Sequence, residues 1–431
     1  MAHRRPELRI LLPNLPGRSR RSDSPTGHSG SVSEDHRVRR EGGCTQSGPP
    51  FAEHSPMRSG RPLITPHQRV TYLALRSDAC EHERATQRGV AARLAAIMGC
   101  AFDDGSSIAT GSAVDLGYVV PDVTIASLDT ARSLGIRGEQ DLFGGVVPVP
   151  FMATKTITHP LIGPTAAAPR GWQSNFPERV RDVALPGWSA FSVSDARAAG
   201  RRLLKNGDVR IKLASGIGGS GQCVAHGETE LDAQLAAIAS TEFTDGVVVE
   251  ANLVDVRTYS VGLVRIGSLQ ASYVGTQRTT RSRHGKEVYG GSSIEVARGG
   301  FDALEPLRLE DGARRAIALA RAYHESALAC FTGMFASRSN YDTAEGRDAT
   351  GRQRLGVLEQ SWRVGGASGA EVAALEALND DPALQTVRAS TTEVHASNVP
   401  IPEGAIVYFS GADDHLGPIT KYAQVHRDGL S

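Results

Sequence analysis

The chain has 431 residues and a mass of 45.7 kDa, with 47 Lys+Arg against 47 Asp+Glu and hence zero formal net charge. That length accommodates two or three domains, and 40% hydrophobic residues with 47 Gly fall in the range of globular proteins, which excludes a fibrous or wholly disordered chain. Charge neutrality removes the case for a general nucleic-acid or anionic-membrane binder, and no run of eighteen apolar residues offers a membrane span.

Residues 1–62 are rich in Ser, Gly, Pro and Arg and poor in apolar groups. They cannot bury enough surface to offset their ordering entropy, so they read as a disordered extension; translation starting at Met57 is an alternative. From "RVTYLALRS" a strand leads into the helical pattern of "EHERATQRGVAARLAAIMG", where Val90, Leu94, Ile97 and Met98 recur at helical spacing. "GYVVPDVTIAS" follows as strand and "LDTARSLGI" as helix, so residues 63–150 read as a small α/β unit on a mostly parallel sheet. A Pro-rich stretch around 146–169 closes it.

The helix "SVSDARAAGRRLLKNG", with Ser192 or Ser194 as N-cap and Gly207 as stop, feeds the strand "DVRIKLAS". After the loop "GIGGSGQ" come a short strand "CVAHG", a helix "ETELDAQLAAIAS" and the apolar strand "GVVVEANL". "TYSVGLVRIG" and "SLQASYVGT" predict a hairpin, a long helix covers 305–329, and "FTGMFASRSNYD" and "RLGVLEQSW" are strands. Antiparallel strands carrying helices read as α+β. In the C-terminal segment, 381–431, "EGAIVYFSG" is a strand.

Three readings compete for the loop Gly216-Ile217-Gly218-Gly219-Ser220-Gly221. It matches G-x-G-x-x-G, the fingerprint of a Rossmann-type dinucleotide-dependent enzyme, but no helix follows the last glycine directly. A G-x-x-x-x-G-K-[ST] phosphate loop fails because Gln222 and Cys223 stand where Lys and a hydroxyl are needed. The third is a hairpin whose glycine tip covers nucleotide phosphates, with Lys212 on the incoming strand, because backbone N–H groups without side chains approach phosphate closely. Lysine is scarce: Lys155, Lys205, Lys212, Lys286 and Lys421 are all there are among the 47 cations. A retained Lys suits a compact ammonium that binds phosphate as a point charge. The five cysteines are scattered with no C-x-x-C pair and read as small core residues of a reduced, cytoplasmic protein.

The order Lys155, "RIKLASGIGGSGQ", "GVVVEANL", "TGMFASRSNYD" and "LGVLEQSWRVGGASG" resembles the ATP-grasp superfamily, and within it an uncharacterised proteobacterial group. The resemblance covers about residues 150–380. It implies a mixed α+β and α/β fold: subdomains 151–265 and 266–380 enclosing a nucleotide, after the α/β unit 63–150. It implies ATP and Mg2+ as cofactors, with Lys155 and Lys212 on the phosphates and Gly216, Gly218, Gly219, Ser220 and Gly221 above them. Glu250 would receive the adenine amino group, the Ala251 and Leu253 backbone would read the ring edge, and Asp255 would meet the ribose. Asp342 and Glu359 would bind magnesium, as hard cations take carboxylate oxygens.

Family members carry E-x-N-x-R where this chain reads Glu359-Gln360-Ser361-Trp362-Arg363, so Ser361 stands for an Asn metal ligand and puts the second metal in question. Arg363 remains. In the cationic stretch "TQRTTRSRHGKEVYGGSSIEVARGG" the alternatives are a solvated loop and an anion site, the latter with Arg278 and Arg298 offsetting charge during phosphoryl transfer. His159, before Pro160, reads as structural. The implied activity is an ATP- and Mg-dependent carboxylate–amine ligase acting on small molecules through an acyl phosphate. The alternatives are an ATP-binding module or sensor of the same fold and, remotely, the dinucleotide enzyme.

Overall fold

The computed structural model describes residues 65–106, 115–214, 216, 221–282, 285, 287–413 and 416–426. The extension 1–62 lies outside them. Strand β1 (Arg69–Leu73), helix α1 (Glu81–Met98), strands β2 (Ala101–Asp103) and β3 (Tyr118–Pro121) and helix α2 (Leu128–Ser133) form the first unit. β1 lies between β2 and β3, both parallel to it, as the alternation of strands and helices requires. The two-residue β4 (Gly145–Val146) and short helix α3 (Asn175–Arg179) lead out of it.

A four-stranded antiparallel sheet follows, in the order β5 (Gly187–Ala190), β8 (Val247–Ala251), β6 (Val209–Leu213), β7 (Gln222–Ala225). Helix α4 (Val193–Leu204), between β5 and β6, is capped by Ser192, whose Oγ accepts from the Asp195 N–H at 3.1 Å. Helices α5 (Glu228–Ala237) and α6 (Glu242–Asp245) connect β7 to β8, and Leu203, Leu231, Leu235, Ile211 and Val249 make this unit's own core.

The third sheet has eight strands. β9 (Val254–Ile266) and β10 (Leu269–Arg281) form the expected hairpin, and β11 (Glu287–Arg298) continues it. Helix α7 (Asp311–Cys330), the two-residue β12 (Phe335–Ala336), strands β13 (Arg338–Arg347) and β14 (Gln353–Ser361) and helix α8 (Ser368–Asp380) come next. β15 (Thr386–Val394), β16 (Ile406–Asp413) and β17 (Gly417–His426) complete the order β14-β13-β9-β10-β11-β15-β17-β16. One face packs Val264, Ile266 and Tyr273 against α8 and α1; the other packs Tyr259, Val261 and Tyr341 against α7. Alternate residues of each strand serve opposite layers.

Several expectations are corrected. α7 starts at Asp311 rather than 305, since Pro306 lacks an N–H and interrupts the helical run. Residues 331–334 are a turn, with Gly333 at φ +85°, and not part of a strand. The cationic stretch is no solvated loop over most of its length: it forms the end of β10 and all of β11. The division at 265/266 falls inside one hairpin, and the segment 381–431 contributes three strands to the same sheet, so the eight-stranded unit is larger than 266–380.

Candidate functional site

Glu250 is the penultimate residue of the apolar strand β8 and is 1% exposed. On β6, Arg210 stands opposite it, so Lys212 lies diagonally across the pair, and its Nζ forms an ion pair with Glu250 Oε1. On the other flank Gly187 of β5 faces Glu250, and His159 Nε2 lies 3.4 Å from Glu250 Oε2. A Cβ on Gly187 would come within 2.9 Å of the His159 ring, so glycine is what admits the imidazole. Burial alone would raise the Glu250 pKa; the Lys212 charge and His159 outweigh it and hold the carboxyl down to about 2.

The second half of the site lies on the eight-stranded sheet. Asp342 of β13 and Glu359 of β14 are direct cross-strand neighbours beside a register shift. Asp342 Oδ1 accepts from Ser260 Oγ at 3.0 Å, Gln277 Nε2 at 2.9 Å and Asn340 Nδ2 at 2.9 Å. Burial, and then the neighbouring Glu359 carboxylate, push the Asp342 pKa up despite these donors. Lys155 joins the two halves: its buried Nζ donates to the Gly216 carbonyl at 2.7 Å and lies 2.6 Å from Glu359 Oε2.

The glycine loop joins antiparallel β6 and β7, with the Leu213 N–H donating to the Gly221 carbonyl at 2.8 Å and Gly221 at φ +67°. β7 begins at Gln222, so no helix N-terminus stands behind the loop and the dinucleotide reading loses its required context. Gly218, Gly219 and Ser220 lie outside the described residues. Ala251 donates its N–H to the Pro186 carbonyl at 2.8 Å. Leu253 forms a small apolar cluster with Leu185, Ala344 and the partly buried Leu358, so it links the β8 exit to the strands of Asp342 and Glu359.

Other expected residues do not join the group. Asp255 is in the left-handed region at φ +52°, is 66% exposed at its side chain and pairs with Arg347. Arg298 donates to the Leu384 carbonyl at 3.1 Å and to those of Leu378 and Asp381, ending α8; its expected role at a transferring phosphoryl group is corrected to a helix-terminal one. Arg278 donates to the Thr391 carbonyl at 2.7 Å and to Thr392 Oγ1, which ties β10 to β15. Arg363 donates to the Val364 carbonyl at 2.8 Å. Ser361 has the Arg338 guanidinium 3.5 Å from its Oγ, an ill-suited setting for a metal ligand.

The sequence reading missed the support beneath the carboxylates. Arg338, Asn340 and Asp342 alternate along β13 and so share one face, a period-two signal present in "RSNYD". Asn340 Oδ1 accepts from Ser260 at 2.7 Å and from Tyr273 at 2.8 Å, while Arg338 and Tyr273 both bond the fully buried Glu371 of α8. His159, read as structural, touches the buried Glu250.

No curated protein matches the sequence. Among solved structures, the biotin carboxylase–β,γ-ATP complex from Campylobacter jejuni is similar at 11% identity and a TM-score of 0.50, over 84% of this chain and 87% of that one. D-alanyl-alanine synthetase A from Vibrio cholerae is 12% identical at a TM-score of 0.39, over 69% and 90%. The biotin carboxylase domain of the Hydrogenobacter thermophilus 2-oxoglutarate carboxylase is 11% identical at 0.42, over 85% and 91%. The likeness at 0.50 shows the fold, the ATP-grasp arrangement that the motif order resembles. A family model described as "Protein of unknown function (DUF3182)" matches residues 70–423, and the chain belongs to that family.

Proposed function

We propose that the chain binds ATP with magnesium between its four-stranded and eight-stranded sheets and uses it to activate a small-molecule carboxylate for attack by an amine or related nucleophile. One observation carries the reading: Lys155, brought from the segment before β5, meets both the first glycine of the 216–221 loop and Glu359, with Asp342 beside it. One ammonium, the entry of the glycine loop and two carboxylates from distant parts of the chain thus come together, and Lys212 lies four residues before that loop on β6.

The donor set fits a single Mg2+: Asp342 and Glu359 face each other on neighbouring strands, the three donors to Asp342 all address Oδ1, and hard cations take carboxylate oxygens. Magnesium would neutralise charge on the transferring phosphoryl group. Ser361, with the Arg338 guanidinium at its Oγ, does not fit a second ion. Lys155 and Lys212 hold phosphate oxygens, and the glycine loop covers them. The apolar cluster of Leu185, Leu253, Ala344 and Leu358 offers a wall for a flat base, with the Leu253 backbone at its edge, since the Ala251 N–H is already bonded to the Pro186 carbonyl. The Glu250 carboxylate is taken up by Lys212 and His159 and so sets the direction of Lys212.

In the reaction a substrate carboxylate oxygen attacks the γ-phosphorus, ADP departs, and the nucleophile then displaces phosphate from the acyl phosphate. The chain supplies position and fixed charge and no covalent nucleophile. Titration calorimetry with ATP and Mg2+, followed by ADP release on a panel of carboxylates with amines, tests this. Absence of ATP binding defeats it. Tight binding without turnover supports a second reading, an ATP-binding module, which the loss of Ser361 as a metal ligand to Arg338 favours.

A further inference from the structure

We infer a second metal site, remote in sequence from the nucleotide residues, formed by Cys80, His82 and Asp413 for a zinc-like divalent cation. One possible ligand atom from each lies within 4.8 Å of the other two. A tetrahedral ion with sulfur bonds of ~2.3 Å and nitrogen or oxygen bonds of ~2.0 Å spaces its ligands roughly 3.3–3.8 Å apart. A small inward movement of these side chains therefore closes the site.

The burial and hydrogen bonding of the three side chains support the site. The His82 side chain is 6% exposed, its Nδ1 is buried without a hydrogen-bond partner, and its Nε2 is 3.9 Å from Asp413 Oδ2, beyond hydrogen-bond reach. Leaving a buried ring nitrogen unsatisfied is costly. Cys80 is the N-cap residue of the eighteen-residue α1, yet its side chain makes no capping bond. The thiol is thus not used by the helix. Asp413 ends β16, and its Oδ1 accepts from the Leu416 N–H at 2.9 Å, which orients the carboxylate.

The surroundings are those of a built site. Phe409 meets the His82 ring edge-on at 6.2 Å between centroids, which excludes water from one side. Lys421 is ion-paired to Glu393 at 2.8 Å and so does not stand as a lone competing cation. Cys80 is partly exposed, which gives the ion a way in, and a fourth position is left for water. A bound ion would join the start of α1 to the far edge of the eight-stranded sheet, a tie between segments more than 300 residues apart in sequence. Binding forms one metal–sulfur bond and releases the thiol proton to solvent.

The test uses the untagged full chain, stripped of metal and titrated with Co2+ as a spectroscopic substitute for Zn2+. One equivalent should produce a thiolate-to-cobalt band in the near ultraviolet, and Zn2+ should abolish it. Cys80→Ser should remove the band, His82→Gln and Asp413→Asn should weaken binding at least ~10-fold, and Cys44→Ser should leave it intact. No band from the full chain, or a band that survives Cys80→Ser, overturns the site. Circular dichroism checks folding, and Cys80→Ser, at a partly exposed position, is the variant best placed to fold.

Discussion

Lys155 Nζ sits 2.6 Å from the Glu359 carboxylate and 2.7 Å from the Gly216 carbonyl, so one ammonium spans the strand that carries an acid and the loop that carries the glycines. Without nucleotide it occupies the position next to Glu359 that a divalent ion would contest.

That competition predicts opposite effects from one substitution. Lys155→Met should lower the affinity for ATP with Mg2+ at least ~10-fold, since a phosphate ligand is lost, a difference of about 1.4 kcal/mol or more. The same variant should bind Mg2+ alone more tightly than the wild type, because Glu359 is released. Calorimetry with and without nucleotide separates the two, and a parallel fall in both would contradict the arrangement.

Asp342 shows how a site residue can weaken the fold that holds it. Its raised pKa means that the folded chain takes up the proton more readily than the unfolded one, so the charge is destabilising once pH exceeds the folded value. All three donors address Oδ1, so Asp342→Asn can keep them and place its amide NH2 at the other position. Its Tm at pH 7 without metal should equal or exceed that of the wild type, while the increase in Tm given by ATP and Mg2+ should vanish.

Glu250 has the reverse sign. Its folded pKa of about 2 lies below the ordinary glutamate value of 4.5, so its contribution is present above pH 4.5 and is lost as pH falls toward 2. Glu250→Gln should therefore be destabilised at pH 7, on the order of 3 kcal/mol, with the gap to wild type closing between pH 4.5 and 2. Urea unfolding at several pH values measures it; a gap independent of pH would mean that shape rather than charge is lost.

The elements of the nucleotide half were legible because their signals are local. Apolar alternation marks β6, an unbroken apolar run marks β8, Ser192 marks the start of α4, and the scarcity of lysine points to Lys155 and Lys212. What escaped depends on partners far along the chain. β11 reads as a polar, glycine-broken run and becomes a strand because β10 and β15 flank it. Arg298 looked like an anion ligand by charge, yet its geometry serves three carbonyls at the end of α8. His159 reads as structural beside its proline, since Glu250 lies 91 residues on in sequence and only the sheet brings them together.

Arg338 is 1% exposed and forms its ion pair with Glu371, itself fully buried, while its Nη1 also donates to the Ser361 carbonyl at 3.3 Å. Removing one member strands the other charge away from water, so Arg338→Met alone should cost about 3–5 kcal/mol. Arg338→Met with Glu371→Leu should recover most of that loss, because apolar groups of similar volume need no partner, although Tyr273 then gives up its bond to Glu371. If stability returns but Mg-dependent ATP binding does not, the buried pair serves mainly to hold β13 and the Ser361 turn in place beside Asp342. If both return, the pair contributes folding stability alone. Urea denaturation of the single and double variants, with calorimetry on the double, distinguishes these outcomes.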